Sequence, residues 1–304
     1  MAYSQGGNIE ATDYNNRAAD VNAIWGTGAG SNGYGQSTTL SNVSAAGTVS
    51  ATNWASLIAR IDSIRNHQAG AASGISQPAA GGTVAFLSTL DANITACVTN
   101  KLTAATRGTN APTAVGGVAN ATAWVTSAVK EISATFSSTD VVRYFFNAGG
   151  LLTSYASVTG PGTTKATDWN TFLTNTVGTI TLGSNFCSRS GTGGDNLTQN
   201  TGVGFHSLTA TYQTLFNIGS TSATADYGLS SCLVEAKLGG ALYGAGSNIV
   251  YVRFTLTDAA GDTFNDTVAG TTRIDMGWTP PEVTYLANVW GAAPTGTAGT
   301  NTQS

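Results

Sequence analysis

The sequence predicts an α+β protein in which an N-terminal helical segment precedes an antiparallel β-sandwich-like domain. Two observations carry this. Through about residue 110, apolar side chains recur at spacings of three and four, the period of a helix buried on one face. From about Trp124 onward the period drops to two, in short runs separated by Gly, Asn, Asp and Thr, as in antiparallel strands joined by tight turns. The expected division is a helical region over 1–122, a β-rich domain over 123–290 and a flexible tail over 291–304.

A short repeat marks the helices. Ala11-Thr12-Asp13-Tyr14, Ala51-Thr52-Asn53-Trp54 and Ala166-Thr167-Asp168-Trp169 share one pattern, and each precedes helical spacing. Thr12, Thr52 and Thr167 are the expected N-caps, each hydroxyl accepting a free backbone N–H, with the following aromatic dropping onto the core. An aromatic sugar-binding platform is the other reading of the repeat. The first helix carries Tyr14, Ala18, Val21 and Trp25 and ends at Gly26. The second carries Trp54, Leu57, Ile58, Ile61 and Ile64. A third is expected from about Val84 to Leu102 on Leu87, Leu90, Ile94, Val98 and Leu102.

In the second half, Ile132, Ala134 and Phe136 alternate with polar residues. Residues 140–147 (DVVRYFFN) fit a short helix or a strand equally, because a run that short has no decisive period. Leu151–Val158 and Thr179–Leu182 read as strands, as do the alternating runs around Cys232–Ala236, Val250–Leu256 and Thr272–Trp278. Pro280-Pro281 ends the last of these. The tail beyond Trp290 is polar and of low complexity.

Charged residues make up only 9% of the chain, and polarity is carried by Thr, Ser, Asn and 38 Gly. A typical soluble domain is roughly 25% charged. Hydroxyls and amides can be buried against a neighbour without the desolvation cost of a charge, so this composition suits a protein that packs against other subunits. The net charge is −4 and no Lys/Arg run occurs, so a nucleic-acid partner is not expected. No apolar stretch is long enough for a membrane helix, and Met1–Glu10 lacks the basic and apolar regions of a signal peptide.

Catalytic and metal-binding patterns are sparse. Gly28-x-Gly30-x-x-Gly33 has the dinucleotide spacing, but that fingerprint needs a strand before it and a helix after it. Here a helical pattern precedes and a Thr/Ser-rich stretch follows, so a glycine loop with Tyr34 packed down is expected. Of the two histidines, His67 is expected to cap the second helix or face solvent, and His206 to lie in a strand-like segment. Neither has a ligand partner at metal spacing. Cys97, Cys187 and Cys232 read as buried thiols, with a Cys187–Cys232 bridge as the alternative. Asp258, Asp262 and Asp266 recur every four residues but do not match a calcium loop, and a hairpin connection is the expected reading. Neither a cofactor nor a metal is expected. Tyr144, Phe145 and Phe146, with Trp278 and Trp290, are the candidate interface anchors. Burial in the core is the other reading of the 144–146 cluster.

Several segments in order resemble a family of tailed-bacteriophage virion structural proteins of environmental and marine type. They are ATDYNNRAADVNAIWGTGAGSNGYGQS and ATNWASLIARIDSIRNHQ near the start, and VVRYFFNAGGLLTSYASVTG and ATDWNTFLTNTVGTITLG in the middle. VYVRFTLTDAAGDTFNDTVAGTT and TPPEVTYLANVWG follow later. The Gly/Ala-rich stretch 108–121 departs from the family pattern. The resemblance implies a non-enzymatic particle component made in the host bacterial cytoplasm and located on the virion. Its members are described as tail-associated or fibre-like, and no catalytic residues carry over. Expected partners are copies of the same chain and other virion proteins. The alternatives are a capsid decoration protein and a module that binds a host surface glycan; a depolymerase is the enzymatic reading. No membrane partner is expected.

Overall fold

A computed structural model describes residues 10–79, 84–105, 111–220, 230–258 and 267–304. The chain forms two compact units. One comprises Met1–Arg107, Arg143–Gly149 and Pro281–Trp290. The other comprises Gly108–Val142, Gly150–Pro280 and Gly291–Ser304. The fold class is the predicted α+β, but the division is interleaved: the β-rich unit begins near 108, not 123, and two later segments return to the helical one.

The helical unit is built on α1 (Ala11–Trp25), α2 (Ala51–Ala69) and α3 (Leu87–Thr99). Tyr14, Ala18, Val21 and Ile24 of α1, Trp54, Leu57, Ile58, Ile61 and Ile64 of α2, and Leu90, Ile94 and Cys97 of α3 are buried. Tyr14 and Trp54 meet edge to face at 5.7 Å between ring centroids, a geometry that adds about 1 kcal/mol to simple burial. The third helix is shorter than its apolar spacing predicts, and Val98 is exposed.

The predicted N-caps are each displaced. Glu10 and Ser50 cap α1 and α2 from the residue before the repeat, so Thr12 and Thr52 lie inside their helices. Ser50 Oγ accepts from Asn53 N–H at 3.2 Å while Asn53 Oδ1 accepts from Ser50 N–H at 2.9 Å. The third residue of the repeat is therefore the far half of a reciprocal capping box. In the third copy Thr163 caps α5 (Thr164–Thr171), and Thr167 Oγ1 donates back to the Thr163 carbonyl from within the helix. Gly70 ends α2 in the left-handed conformation at φ 70°, which Gly adopts without steric penalty.

The ambiguous run 140–147 is α4 (Thr139–Asn147). Its last turn belongs to the helical unit.

In the other unit, β1 (Thr113–Asn120), β10 (Thr271–Thr279), β3 (Leu151–Thr159), β4 (Ile180–Leu182) and β5 (Cys187–Arg189) form, in that order, an antiparallel five-stranded sheet. The second sheet has the order β11 (Thr295–Gln303), β2 (Ser127–Thr135), β9 (Ile249–Thr257), β8 (Ser231–Leu238), β7 (Gln213–Gly219) and β6 (Asp195–Gln199). Alternate residues fill the core: Cys232, Val234 and Ala236 on β8, Val250, Val252, Phe254 and Leu256 on β9, and Ile274, Met276 and Trp278 on β10. This is the predicted period of two, faithfully expressed. The helix α5 continues into a π-helical turn, Phe172–Val177.

Two expectations fail here. The segment beyond Trp290 is not a flexible tail: it carries β11, paired with β2 from Thr295↔Thr135 to Gln303↔Ala128. Four threonines in this strand favour the extended backbone, and the Ser304 carbonyl oxygen accepts from the N–H groups of Val125, Thr126 and Ser127. The second failure concerns the connection between β9 and β10. These strands lie in different sheets, so they do not pair with each other as a hairpin. Asp262 and Asp266 lie outside the described residues.

The two sheets approach most closely at their shared edge. A Cβ on Gly296 of β11 would stand 2.5 Å from the Val115 carbonyl oxygen and 3.1 Å from Gly116 Cα on β1. Glycine is required there because backbone passes over backbone.

Candidate functional site

The proposed interface anchors are not presented to solvent. Tyr144, Phe145, Phe146, Trp278 and Trp290 are all buried within the chain itself. The aromatic run of α4 points inward because its helical period places Phe145 and Phe146 in the core and lays Tyr144 over Gly35. A Cβ on Gly35 would lie 2.5 Å from Tyr144 Cδ2.

The glycine loop 26–35 is held by the last turn of α4. Arg143 donates to the Asn32 carbonyl at 2.9 Å, and Asn147 Nδ2 donates to the Gly33 carbonyl at 2.8 Å. Tyr34 Oη donates to the Lys101 carbonyl and accepts from Gln68 Nε2, each at 3.0 Å. The loop thus offers carbonyls to cationic and amide donors, whereas a phosphate cradle offers N–H groups to an anion. A helix enters the loop and none leaves it, so its glycine spacing serves packing.

His67 lies in the last turn of α2 as the sequence suggested, but it is buried, and His206 does not lie in a strand. His67 is 4% exposed and meets Tyr34 edge to face at 5.1 Å. Burial holds its pKa down to about 4, so it is a neutral core residue and neither caps the helix as a cation nor faces solvent. One side of it borders a small cleft lined also by Asn66, Glu282, Thr284 and the half-exposed Tyr285. His206 lies in a 3₁₀ turn, Phe205–Ser207, with Nδ1 2.7 Å from Tyr243 Oη. Tyr243 is one of two described non-glycine residues at positive φ.

The three cysteines are free and buried, with no bridge between Cys187 and Cys232. Burial raises the Cys97 thiol to about 12 and the Cys187 thiol to about 11, and it raises Cys232 as well. Protonated thiols are poor nucleophiles. No group of three His, Cys, Asp or Glu side chains among the described residues converges as a metal site would. No helix among them is long and apolar enough to cross a membrane.

The six-stranded sheet carries a charged aromatic cluster on one face. Arg253 of β9 pairs with Glu235 of β8 at 2.6 Å and stacks its guanidinium 3.7 Å from the centroid of the Tyr212 ring. Lys237 Nζ lies between Tyr212 and Tyr251, 4.5 and 4.9 Å from their centroids. The Tyr212 hydroxyl donates to Glu131 of β2. Burial, then the Glu131 hydrogen bond and charge, raise the Tyr212 pKa. The cations and carboxylates neutralise one another within the cluster, which favours a rigid face over a reactive one. The period of two puts Glu235 and Lys237 on one face of β8 and Tyr251 and Arg253 on one face of β9. No local pattern linked them to Tyr212 or Glu131, because strand pairing alone brings the four segments together.

β1 and β11 lie on the same side of the sandwich and contain no charged residue and no proline. Most side chains of β11 are exposed. Edge strands of monomeric proteins are commonly blunted with charges or proline. These two carry only bulges, at Ala114/Gly116 and at Ala298/Asn301.

Comparison with known proteins returns no matching family model, no matching curated relative and no matching solved structure.

Proposed function

We propose that this chain is a non-enzymatic structural component of a bacteriophage virion, a tail- or neck-associated appendage or fibre-like protein assembled by symmetric packing. The observation that carries the reading is the uncharged and largely exposed edge strand β11, which itself covers the neighbouring uncharged edge β1. An edge with free N–H and C=O groups and no charged side chains accepts another strand at little desolvation cost. The occupant proposed here is a second copy of the chain, in keeping with the closed symmetry of most homo-oligomers. The sequence resemblance and the low charge support the same reading.

The test is to purify particles from an infected host, quantify this chain by mass spectrometry and locate it in averaged particle density. A few to tens of copies at the tail or neck is the expected result. Hundreds of copies spread over the shell would favour a capsid decoration protein, and absence from purified particles would overturn the virion assignment.

A second reading, recognition of a host surface glycan, rests on the cleft beside Tyr285. An exposed ring next to Asn66, Thr284 and Glu282 offers a stacking face and hydrogen-bonding groups. Binding of labelled protein to host cells, lost in Tyr285→Ala, would support it.

A further inference from the structure

We propose that Lys165 and Asp258 condense to an intramolecular isopeptide bond that staples α5 to the end of β9. Lys165 Nζ and Asp258 Oδ2 lie 2.7 Å apart and neither side chain has any solvent exposure. Among the described residues, the pairs Arg17–Asp91, Arg253–Glu235 and Arg273–Asp275 each keep contact with water on both sides. A fully buried ion pair is costly, because both ions lose their hydration. Transfer of one proton within the pair gives a neutral amine and a neutral acid, the nucleophile and electrophile of amide formation.

Both partners are fixed by their backbones. Thr163, the N-cap of α5, donates its hydroxyl to the Thr267 carbonyl at 2.8 Å, and Gly162 N–H donates to the Ala269 carbonyl at 3.0 Å. Asp258 N–H donates to the Thr126 carbonyl at 2.9 Å. One turn after Lys165, Trp169 packs edge to face with Trp124 at 4.9 Å, and Trp124 Nε1 donates to Thr272 Oγ1. The amine and carboxyl are therefore held together beside an aromatic cluster. Such preorganisation is the condition under which an intramolecular reaction outruns its bimolecular counterpart by orders of magnitude.

The step balances without an outside reagent. A proton passes from the Lys165 ammonium to the Asp258 carboxylate. The Nζ lone pair attacks Cγ, forming the C–N bond. One carboxyl oxygen then leaves with two protons as water, and Nζ keeps one. The product is a neutral amide. None of the three cysteines is paired, so this cross-link would supply covalent bracing that does not depend on an oxidising compartment.

The decisive measurement is the intact mass of the purified full-length protein, followed by peptide mapping. The wild-type chain is expected to fall short of its sequence mass by one water, with a branched peptide joining Lys165 to Asp258. Lys165→Arg keeps the cation but cannot condense in the same way and is expected at full mass. Asp258→Asn is expected to form the same bond with loss of ammonia. A wild-type chain at full mass overturns the proposal, as does a missing water that maps elsewhere or persists in Lys165→Arg. If Lys165→Arg fails to fold, the wild-type peptide map alone decides.

Discussion

At the scale of single residues, two buried bases make stability depend on pH. His67 in the folded chain titrates near 4, below its ordinary 6.5, because burial penalises the imidazolium. Between those values the unfolded chain binds the extra proton, so stability is present above about 6.5 and is lost as pH falls toward 4. The full loss is about 3 kcal/mol. In His67→Phe, which keeps an aromatic edge against Tyr34, chemical denaturation between these pH values should show a correspondingly flatter profile. A profile parallel to wild type would show that other groups govern acid sensitivity. Lys130 behaves in the same sense at higher pH. It points into the sandwich on the same row as Ala128, Ile132 and Ala134, and Nζ donates to Asn301 Oδ1 at 2.6 Å. Burial lowers its pKa to about 8 from 10.5. The charge penalty is fully present below about 8 and is relieved as pH rises toward 10.5, so stability should rise across that window. Lys130→Met should stabilise the protein at neutral pH by ~1–3 kcal/mol and abolish the alkaline rise, both readable from urea midpoints.

At the scale of elements, caps and close approaches carry the energy. Ser50→Ala removes the accepting half of the α2 capping box and should cost about 1 kcal/mol of unfolding free energy. Thr52→Ala should cost little, because Thr52 lies inside the helix; equal losses would contradict the capping assignment. Gly296→Ala places a methyl against the Val115 carbonyl where β11 passes over β1, with an expected cost of ~1–3 kcal/mol. Calorimetry of the variant would register it as a lowered melting temperature.

These elements also mark where sequence reading stops. The runs around β8, β9 and β10 were legible because each has one buried face and so prints a period of two. Helices α1 and α2 were legible for the matching reason. The caps were misplaced by two residues in α1 and α2 and by four in α5, because Thr12, Thr52 and Thr167 are of capping type themselves and only backbone geometry separates them from Glu10, Ser50 and Thr163. β11 was opaque because an exposed polar edge strand prints no hydrophobic period at all. The link from β9 to β10 looked like a hairpin because two alternating runs with Gly and Asp between them satisfy every local rule for one, while sheet membership is a tertiary property. Of the candidate site, the composition of the edges was readable but their position was not. The aromatic anchors were visible only as apolar mass, without the burial that removes them from any surface.

At the scale of the whole molecule, the uncharged edges are the part that bears on the assembly proposed above. Lysines placed on exposed β11 positions, Thr297→Lys and Thr300→Lys together, should leave the melting temperature within a few degrees of wild type. They should suppress self-association, since charged edges resist strand addition. Sedimentation of the two proteins at matched concentration checks this. Equal association of both would move the contact away from this edge.

The interleaved path of the chain has a consequence for its manufacture. Gln36 exchanges two hydrogen bonds with the backbone of Ala287, at 3.0 and 2.8 Å, and the segment around Ala287 completes the unit that the first helices begin. A nascent polypeptide ordinarily folds its leading domain while the rest is still being translated. Here α1, α2 and α3 must wait for residues 281–290, so a chain stalled before residue 281 would carry those helices unfinished, whatever its sheets had achieved.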